Sequence, residues 1–183
     1  MLDKFLIKHS APTLAGLKTA NLFWYPWKSQ ERPGEDLAEW KKIFREKGLD
    51  LQVLKVNKDR ALLYVYRVSN LERDLNREKT RKMLAAEGYQ DFSPEGAVET
   101  LKQRLAQGEN FPHEIGLFLG YPEEDVEGFI TNQGKNCKCS GCWKVYCNEC
   151  DARKTFCKYK KCEAVYERLF LQGRSVTQLI VSA

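Results

Sequence analysis

The N-terminal part of the chain alternates between helical and strand-like patterns of apolar residues. Apolar positions at helical spacing predict a helix over residues 2–9, and Ser10 is placed to cap the start of a second short helix. An aromatic run at residues 21–27 predicts a strand. Apolar residues on one face of residues 37–44 predict a further helix, which Gly48 is suited to end.

Two strand patterns then follow one another directly. Residues 49–56 predict one strand, and the almost continuously apolar run from Arg60 to Val68 predicts a second that is buried on both faces. Three polar residues separate the two patterns, so we expect a hairpin over residues 49–68.

The rest of the chain is mostly helical in pattern. Four helices are predicted, over residues 71–87, 94–107, 122–130 and 149–171. Gly108 is placed to end the second of them, and residues 143–146 predict a short strand. Together these elements predict an α+β fold, in which a small mixed or antiparallel sheet around the hairpin is covered by helices and a cysteine-rich loop lies on the surface.

Length and charge bear on the domain organisation. A chain of 183 residues suits one domain, so we expect residues 1–183 to form a single domain, with an α/β core (1–131) and a basic, cysteine-rich third packed on it (132–183). The net charge of +5 divides into −1 for residues 1–130 and +6 for the remainder. The sequence shows neither a secretory signal nor an apolar run of membrane-spanning length, which predicts a cytoplasmic protein without a membrane partner.

The seven cysteines all lie between residues 137 and 162. They include two Cys-x-x-Cys pairs, a spacing at which a short turn directs two thiolates to one metal ion or to each other. In a reducing cytosol, an odd and clustered set of cysteines indicates thiols or metal ligands rather than a disulfide framework. The cysteines are therefore the concentrated chemistry of this chain.

A zinc finger built from both Cys-x-x-Cys pairs conflicts with the strand predicted between them. An extended segment over residues 143–146 separates Cys142 from Cys147 by about 16 Å and turns them to opposite faces. A smaller set of candidate metal ligands remains: Cys137, Cys139 and Cys142 from one loop, with Cys162 or His113 as the fourth. Such a set could hold zinc or an iron–sulfur cluster.

Not every cysteine needs a chemical role, because cysteine often packs as a small apolar residue. Packing accounts for Cys147, on the apolar side of the short strand, and for Cys157, beside Phe156 in an amphipathic helix. Cys139 and Cys142 lie instead in a loop rich in glycine and lysine, where a reactive thiol is favoured.

The leading functional hypothesis is a thiol or metal-binding protein, with redox chemistry as an option, and a cysteine nucleophile comes second. Cys142 or Cys139 paired with His113 would meet the minimum for nucleophilic catalysis, with the imidazole as base. The sequence does not show that these side chains meet. Capping of the following segment explains His113 equally simply, so whether a reaction is catalysed stays open.

The predicted helix start at Ser10 is a candidate anion site. Backbone N–H groups at a helix start, the hydroxyls of Ser10 and Thr13, and the nearby Lys18 and Asn21 suit a phosphate or carboxylate. Capping of the helix alone explains the same residues.

A nucleic-acid-binding module is the third hypothesis. Lys154, Lys158 and Lys161 lie on one face of the last predicted helix, near Phe156 and Tyr159, and suggest phosphate neutralisation with aromatic stacking. Acidic residues interrupt this patch, and the sequence pI of about 8.8 is low for a dedicated binder. A solvated helix face is the competing interpretation.

Three blocks of the sequence are distinctive: SAPTLAGLK (residues 10–18), FPHEIGLFLGYP (111–122) and GCWKVY (141–146). They resemble the signature blocks of a bacterial family of domains of unknown function, DUF3793. The resemblance spans nearly the whole chain, implies a free-standing cytoplasmic domain and brings no activity with it. Family members often carry cysteine where this chain has Ser10, so no thiol role is expected there.

Overall fold

The computed structural model describes residues 1–27, 34–107 and 111–182. It has the expected α+β fold, with a three-stranded antiparallel sheet. The chain forms two compact units, which we call the sheet unit (Met1–Leu71 with Cys162–Ala183) and the helical unit (Glu72–Lys161). No helix in the described ranges is long and apolar enough to cross a membrane. The single domain expected from the length stays a prediction.

The elements follow one another along the chain in this order: α1 (Leu2–Leu14), β1 (Ala20–Pro26), α2 (Gly34–Glu46), β2 (Leu49–Val56), β3 (Arg60–Arg67), α3 (Val68–Leu75), α4 (Glu78–Ala86), α5 (Pro94–Gln107), α6 (Ile115–Phe118), α7 (Glu123–Thr131), β4 (Cys139–Ser140), β5 (Lys144–Val145), α8 (Glu149–Leu171) and α9 (Val176–Leu179). The bounds of β2, α5 and α8 match the predicted ones. The predicted end of α5 at Gly108 lies outside the described residues.

β3 is the central strand of the sheet, with β1 and β2 antiparallel on its two sides. Leu63 of β3 pairs with Phe23 of β1 and with Val53 of β2, and the register shifts between Val53 and Lys55. Every residue of β3 after Arg60 is buried. The predicted hairpin and the burial of its second strand on both faces are therefore confirmed.

The apolar core of the sheet unit joins one face of β3 to α1 and α2. Leu63 and Val65 of β3 lie in one cluster with Leu6 and Leu14 of α1 and Phe44 of α2, and all five are fully buried. Burial of a side chain of this size stabilises a fold by about 1.5–3 kcal/mol. This cluster therefore fixes both helices on the sheet.

The helix break predicted at Ser10 is wrong, because α1 runs without interruption from Leu2 to Leu14 with Pro12 inside it. Proline removes one helical hydrogen bond and disfavours a helix interior. Leu6 and Leu14 lie on the buried side of this helix, however, and their burial outweighs that local preference. Ser10 is consequently an interior helical residue.

Arg67 at the end of β3 joins three parts of the sheet unit. Its guanidinium donates to Thr13 O, Leu14 O and Val181 O, each at 2.7 Å. Val181 N donates in turn to Leu14 O at 3.0 Å. Arg67 is only 4% exposed, and burial lowers its pKa. The last carbonyls of a helix lack partners within the helix, so this guanidinium supplies donors where α1 needs them.

The single helix predicted over residues 71–87 is also wrong, since α3 ends at Leu75 and α4 begins at Glu78. The Asn76 side chain donates to Glu72 O at 2.8 Å, and Arg77 is extended with φ −64° and ψ 139°. Asparagine competes for backbone groups in this way and favours helix ends. The break therefore has a local cause.

Candidate functional site

The cysteine loop of the helical unit contains a small hairpin. β4 and β5 pair antiparallel. Backbone hydrogen bonds from Lys138 N to Val145 O (2.8 Å) and from Gly141 N to Trp143 O (3.0 Å) extend the pairing at its two ends. The strand predicted over residues 143–146 is therefore present in a shorter form, as the two residues of β5.

Asp125 of α7 orders the segment that follows the hairpin. Its carboxylate is 3% exposed and accepts hydrogen bonds from Trp143 Nε1 (2.7 Å), Tyr146 N (2.8 Å) and Cys147 N (2.9 Å). Hydrogen bonds to charged groups contribute about 1.5–3 kcal/mol each. The sequence gives no signal for this role, since an acidic side chain in the first turn of a helix is already explained by the helix dipole.

Trp143 packs between two aromatic rings. It stacks on Tyr121 at a centroid distance of 5.0 Å and meets Phe156 of α8 edge-on at 4.6 Å. Tyr121 Oη donates to Cys142 O at 3.1 Å. A Cβ on Gly141 would overlap the Phe156 ring, so only glycine permits this close approach. The hairpin therefore rests directly on α8.

Lys144 connects the hairpin to the segment after α7. Its Nζ donates to Gly134 O at 2.7 Å and lies 5.8 Å from the centre of the Phe129 ring. Gly134 has a φ of +73°, and a Cβ there would lie 3.1 Å from Phe129. Glycine at this position therefore serves both the left-handed backbone and the tight packing.

A cavity of about 290 Å³ lies inside the helical unit beside the hairpin. Its aromatic lining consists of Phe111, Tyr121, Phe129 and Trp143. Its polar lining consists of His113, Asp125, Ser140 and Lys144. A concave, largely apolar wall with a few polar groups is the usual composition of a small-molecule site.

A second, more polar cavity of about 460 Å³ shares His113 with the first. Glu114 beside it is 3% exposed and accepts from Arg104 Nε (2.6 Å) and Tyr89 Oη (3.1 Å). Burial, reinforced by the Glu114 charge, raises the pKa of Tyr89. Arg104 also donates to the backbone and side chain of Glu87, at 2.7 Å each. These charged groups bind one another, which gives the network a structural role.

The cysteines differ in exposure, and none forms a disulfide. Cys137 and Cys139 are half-buried, and one cysteine, Cys162, is buried. The remaining four are exposed: Cys142, Cys147, Cys150 and Cys157. The packing role predicted for Cys147 and Cys157 is therefore wrong.

The register of α8 explains why Cys162 is the buried cysteine. Ala152, Tyr159, Cys162 and Tyr166 form the buried stripe of this helix, whereas Cys157 lies off it. Cys162 belongs to the core of the sheet unit, where burial, with a smaller effect of Glu163, raises the pKa of the thiol to about 11. A thiol of this kind is protonated at neutral pH and is poorly suited to bind metal.

The structure does not bring the four predicted metal ligands together. Among residues 1–27, 34–107 and 111–182, no group of three or more His, Cys, Asp and Glu side chains is arranged to hold a metal ion. Cys137, Cys139 and Cys142 share the loop, whereas Cys162 lies in the core of the sheet unit. The set therefore forms no preformed site, and zinc or iron–sulfur binding stays a prediction.

Arg153 of α8 interacts with cysteines from two different elements. Its guanidinium donates to Glu149 Oε1 at 2.8 Å, and this hydrogen bond is the largest cause of its raised pKa. The charges of Cys139 in β4 and Cys157 in α8 act in the same direction.

His113 is exposed, and its ring centroid lies 5.2 Å from that of Phe129. It lines both cavities, but neither Cys139 nor Cys142 belongs to the described lining of either one. The Cys–His pair of the nucleophile hypothesis stays a prediction.

The structural premise of the anion site is wrong, because Ser10 lies within α1 and not at a helix start. Ser10 Oγ is buried, and Thr13 Oγ1 donates to Asn21 Oδ1 at 2.6 Å. Lys18 is buried too, at 8% exposure. Two of the predicted groups thus bind each other, and anion binding by this set stays a prediction.

The two aromatic residues near the basic face of α8 both take part in packing. Phe156 packs against Trp143, and Tyr159 is buried, which raises its pKa to about 12. Lys154 pairs with Asp151 at 3.3 Å. Tyr159 is therefore not placed for base stacking, and nucleic-acid binding through this face stays a prediction.

Comparison with known proteins identifies a family. No curated protein and no solved structure matches the chain. Residues 6–180 match the model of a family described as Protein of unknown function (DUF3793). The three distinctive sequence blocks all lie within this range, and they supply Trp143, Lys144 and His113 of the site. Since the match covers nearly the whole chain, the protein belongs to the DUF3793 family.

Proposed function

We propose that the protein is a thiol-reactive domain in which Cys139 and Cys157 cycle between a dithiol and a disulfide. The distribution of the thiols carries this proposal. Six cysteines lie in the helical unit and keep solvent exposure, whereas Cys162 alone is buried. Cysteine is among the residue types most often buried, so six accessible thiols in one unit favour reactivity over packing.

The contact between the hairpin and α8 supports the choice of the pair. Gly141 allows the hairpin backbone to approach the Phe156 side of α8 closely. Cys139 lies in the first strand of that hairpin, and Cys157 follows Phe156 in the helix. Both cysteines also contribute to the raised pKa of Arg153. A disulfide requires such an approach of two backbones.

The redox step needs an oxidant, for which we name a low-molecular-weight disulfide such as glutathione disulfide. The thiolate of one cysteine attacks this disulfide, forms a mixed disulfide and releases one glutathione thiolate. The thiolate of the second cysteine then attacks the protein-bound sulfur and releases the second glutathione. Two protein thiols are oxidised, the oxidant is reduced to two thiols, and these take up the two protons.

Treatment of the fully reduced protein with one equivalent of glutathione disulfide tests the proposal. We expect release of two glutathione molecules and a Cys139–Cys157 disulfide in peptide mass maps. Cys157→Ser should stop at a glutathione adduct on Cys139. Cys147→Ser, which changes an exposed cysteine outside the pair, should behave as the wild type.

Two results would contradict the proposal. One is an even spread of adducts over the six accessible cysteines. The other is a stoichiometric zinc or iron content in protein purified without oxygen, which would make the loop cysteines metal ligands rather than a dithiol. Elemental analysis before the oxidation experiment provides that measurement.

A further inference from the structure

We propose that the 290 Å³ cavity of the helical unit binds a small aromatic carboxylic acid. The proposal does not rest on the thiol function, because it depends on the cavity lining and not on the cysteines. It assigns a ligand class to a site formed by α7, the hairpin and the segment that contains Phe111 and His113.

The apolar side of the cavity matches a flat ring system. Four aromatic residues line it, and Phe111 among them is 44% exposed. An engineered apolar cavity of about 150 Å³ accepts benzene, so a cavity of about twice that size accommodates about two fused rings. A bound ring would cover the exposed part of Phe111, and this burial favours binding.

The polar side of the cavity selects an anion. Asp125 carries the negative charge in the lining, but three N–H groups already bind its carboxylate. Lys144 carries the positive charge, and Gly134 O accepts one of the three N–H donors of its ammonium group. The other donors can turn to a ligand, and His113 adds a further polar group beside them.

Lys144 lies where the polar side and the aromatic side of the cavity meet. Its Nζ lies 5.8 Å from the centre of the Phe129 ring, at the edge of the aromatic lining. A ligand carboxylate bound to Lys144 therefore places an attached ring alongside Phe129. Charge and shape thus favour the same ligand class, a planar ring with an acidic substituent.

Calorimetric titration with three two-ring probes tests the inference. The probes are 2-naphthoate, the neutral 2-naphthol and the cationic 2-naphthamidine, which share one ring system and differ in charge. We expect 2-naphthoate to bind with a Kd on the order of 100 µM, a usual value for a ligand of this size. We expect 2-naphthamidine to bind at least about tenfold more weakly. Equal affinities for all three probes, or no binding of 2-naphthoate, would overturn the proposal.

Two substitutions assign the binding to this cavity. Lys144→Met should weaken 2-naphthoate binding about tenfold and leave 2-naphthol binding unchanged, which also shows that the cavity is intact. Lys135→Met, in the same loop and outside the lining, is the matched control and should bind like the wild type. Unchanged 2-naphthoate affinity in Lys144→Met would show that the anion is bound elsewhere.

A second variant keeps the test valid if Lys144→Met does not fold. Phe111 is 44% exposed, so Phe111→Ser removes ring surface from the cavity and costs less folding stability than the same change at a fully buried phenylalanine. We expect it to weaken both 2-naphthoate and 2-naphthol about fivefold, because both probes use the ring contact. Leu171→Ser, at another exposed apolar residue, is its control. Unaltered affinity for both probes in Phe111→Ser would overturn the assignment.

Discussion

Asp125 and Arg67 are buried charged side chains whose partners are largely backbone groups. Asp125 accepts from two backbone N–H groups and the Trp143 indole, and Arg67 donates to three carbonyl oxygens. A backbone group cannot be substituted away, so replacing either side chain leaves buried polar atoms without partners. Such atoms are costly, at about 1–3 kcal/mol each.

Asp125→Asn should lower the free energy of unfolding by about 2–4 kcal/mol. The asparagine amide keeps one acceptor oxygen. Its NH₂ group, however, is itself a donor and faces N–H groups whose hydrogen bonds the carboxylate of Asp125 accepts. Urea denaturation, monitored by tryptophan fluorescence, measures this loss of stability. Glu124→Gln, at an exposed neighbour on the same helix, should change stability by less than about 0.5 kcal/mol. Equal losses in the two variants would refute the role assigned to Asp125.

Because the thiol of Cys162 is buried, we expect the free energy of unfolding to depend on pH in the alkaline range. Burial raises the pKa of its thiol from 9.0 to about 11. The folded state thus favours the protonated thiol, and this contribution is complete below about pH 9 and is lost as the pH rises through about 11. We expect wild-type stability to fall relative to Cys162→Ala across this window in urea denaturation at stepped pH.

The control variant for Cys162→Ala is Cys157→Ala, which replaces an exposed cysteine of the same helix. Its stability should stay parallel to that of the wild type from pH 8 to pH 11. A wild-type curve that runs parallel to the Cys162→Ala curve would show that the buried thiol does not titrate as described.

At the scale of elements, the hairpin is too short to be stable alone and takes its stability from the surfaces that it contacts. β4 and β5 have two residues each, and isolated two-stranded hairpins are marginal even when longer. α8 provides one surface through Phe156, and α7 provides the other through Asp125. The hairpin is therefore an ordered extension of two helices.

Gly141→Ala tests this contact, because its Cβ would overlap the Phe156 ring. We expect a loss of about 1–3 kcal/mol in the free energy of unfolding. Ser140→Ala, one residue earlier and exposed, should cost less than about 0.5 kcal/mol. Phe156→Leu in the Gly141→Ala background should restore part of the loss. An additive double variant would show that the two residues are not in contact.

The predicted elements are confirmed where the sequence signal is local. β3 follows from an unbroken apolar run, and α5 from the adjacent Ser93 and Pro94 at its start. The sequence pattern predicts a break in α1 that is absent, because burial of this helix against the sheet outweighs the local preference of Pro12. It also fails between α3 and α4, where the side chain of Asn76 bonds to Glu72 O and marks the end of α3.

The candidate site was only partly predictable for a related reason. The sequence identifies the loop, its cysteines and His113, since these are unusual residue types in a short segment. It does not give the register of α8, which exposes Cys157 and buries Cys162. Nor does it show the role of Asp125, whose partners lie 18 to 22 positions further along the chain.

At the scale of the whole molecule, the excess positive charge lies in the C-terminal third, where some of the basic side chains pair with acidic neighbours. Arg153 pairs with Glu149 at 2.6 Å, and Lys154 pairs with Asp151 at 3.3 Å. The net charge of +5 is therefore a weak guide to a polyanionic partner.

We expect single-stranded DNA to bind only weakly, with a Kd above about 1 µM at about 150 mM salt. Tyr159 is buried and Phe156 is half-buried against Trp143, so binding should leave the tryptophan and tyrosine fluorescence unquenched. Fluorescence anisotropy with a labelled oligonucleotide at two salt concentrations measures the affinity. Tight binding with strong quenching would show that the aromatic residues of α8 become accessible.

The sheet unit is built from the two ends of the chain, and this determines when it can be completed during synthesis. The helical unit is contiguous, so all its residues are available once Lys161 has left the ribosome. The Arg67 guanidinium cannot donate to Val181 O until that residue, more than a hundred positions later in the chain, has been synthesised. Newly made β1, β2 and β3 therefore lack one closing contact until Val181 has been synthesised, and in that interval we expect the nascent N-terminal segment to be a target for chaperone binding.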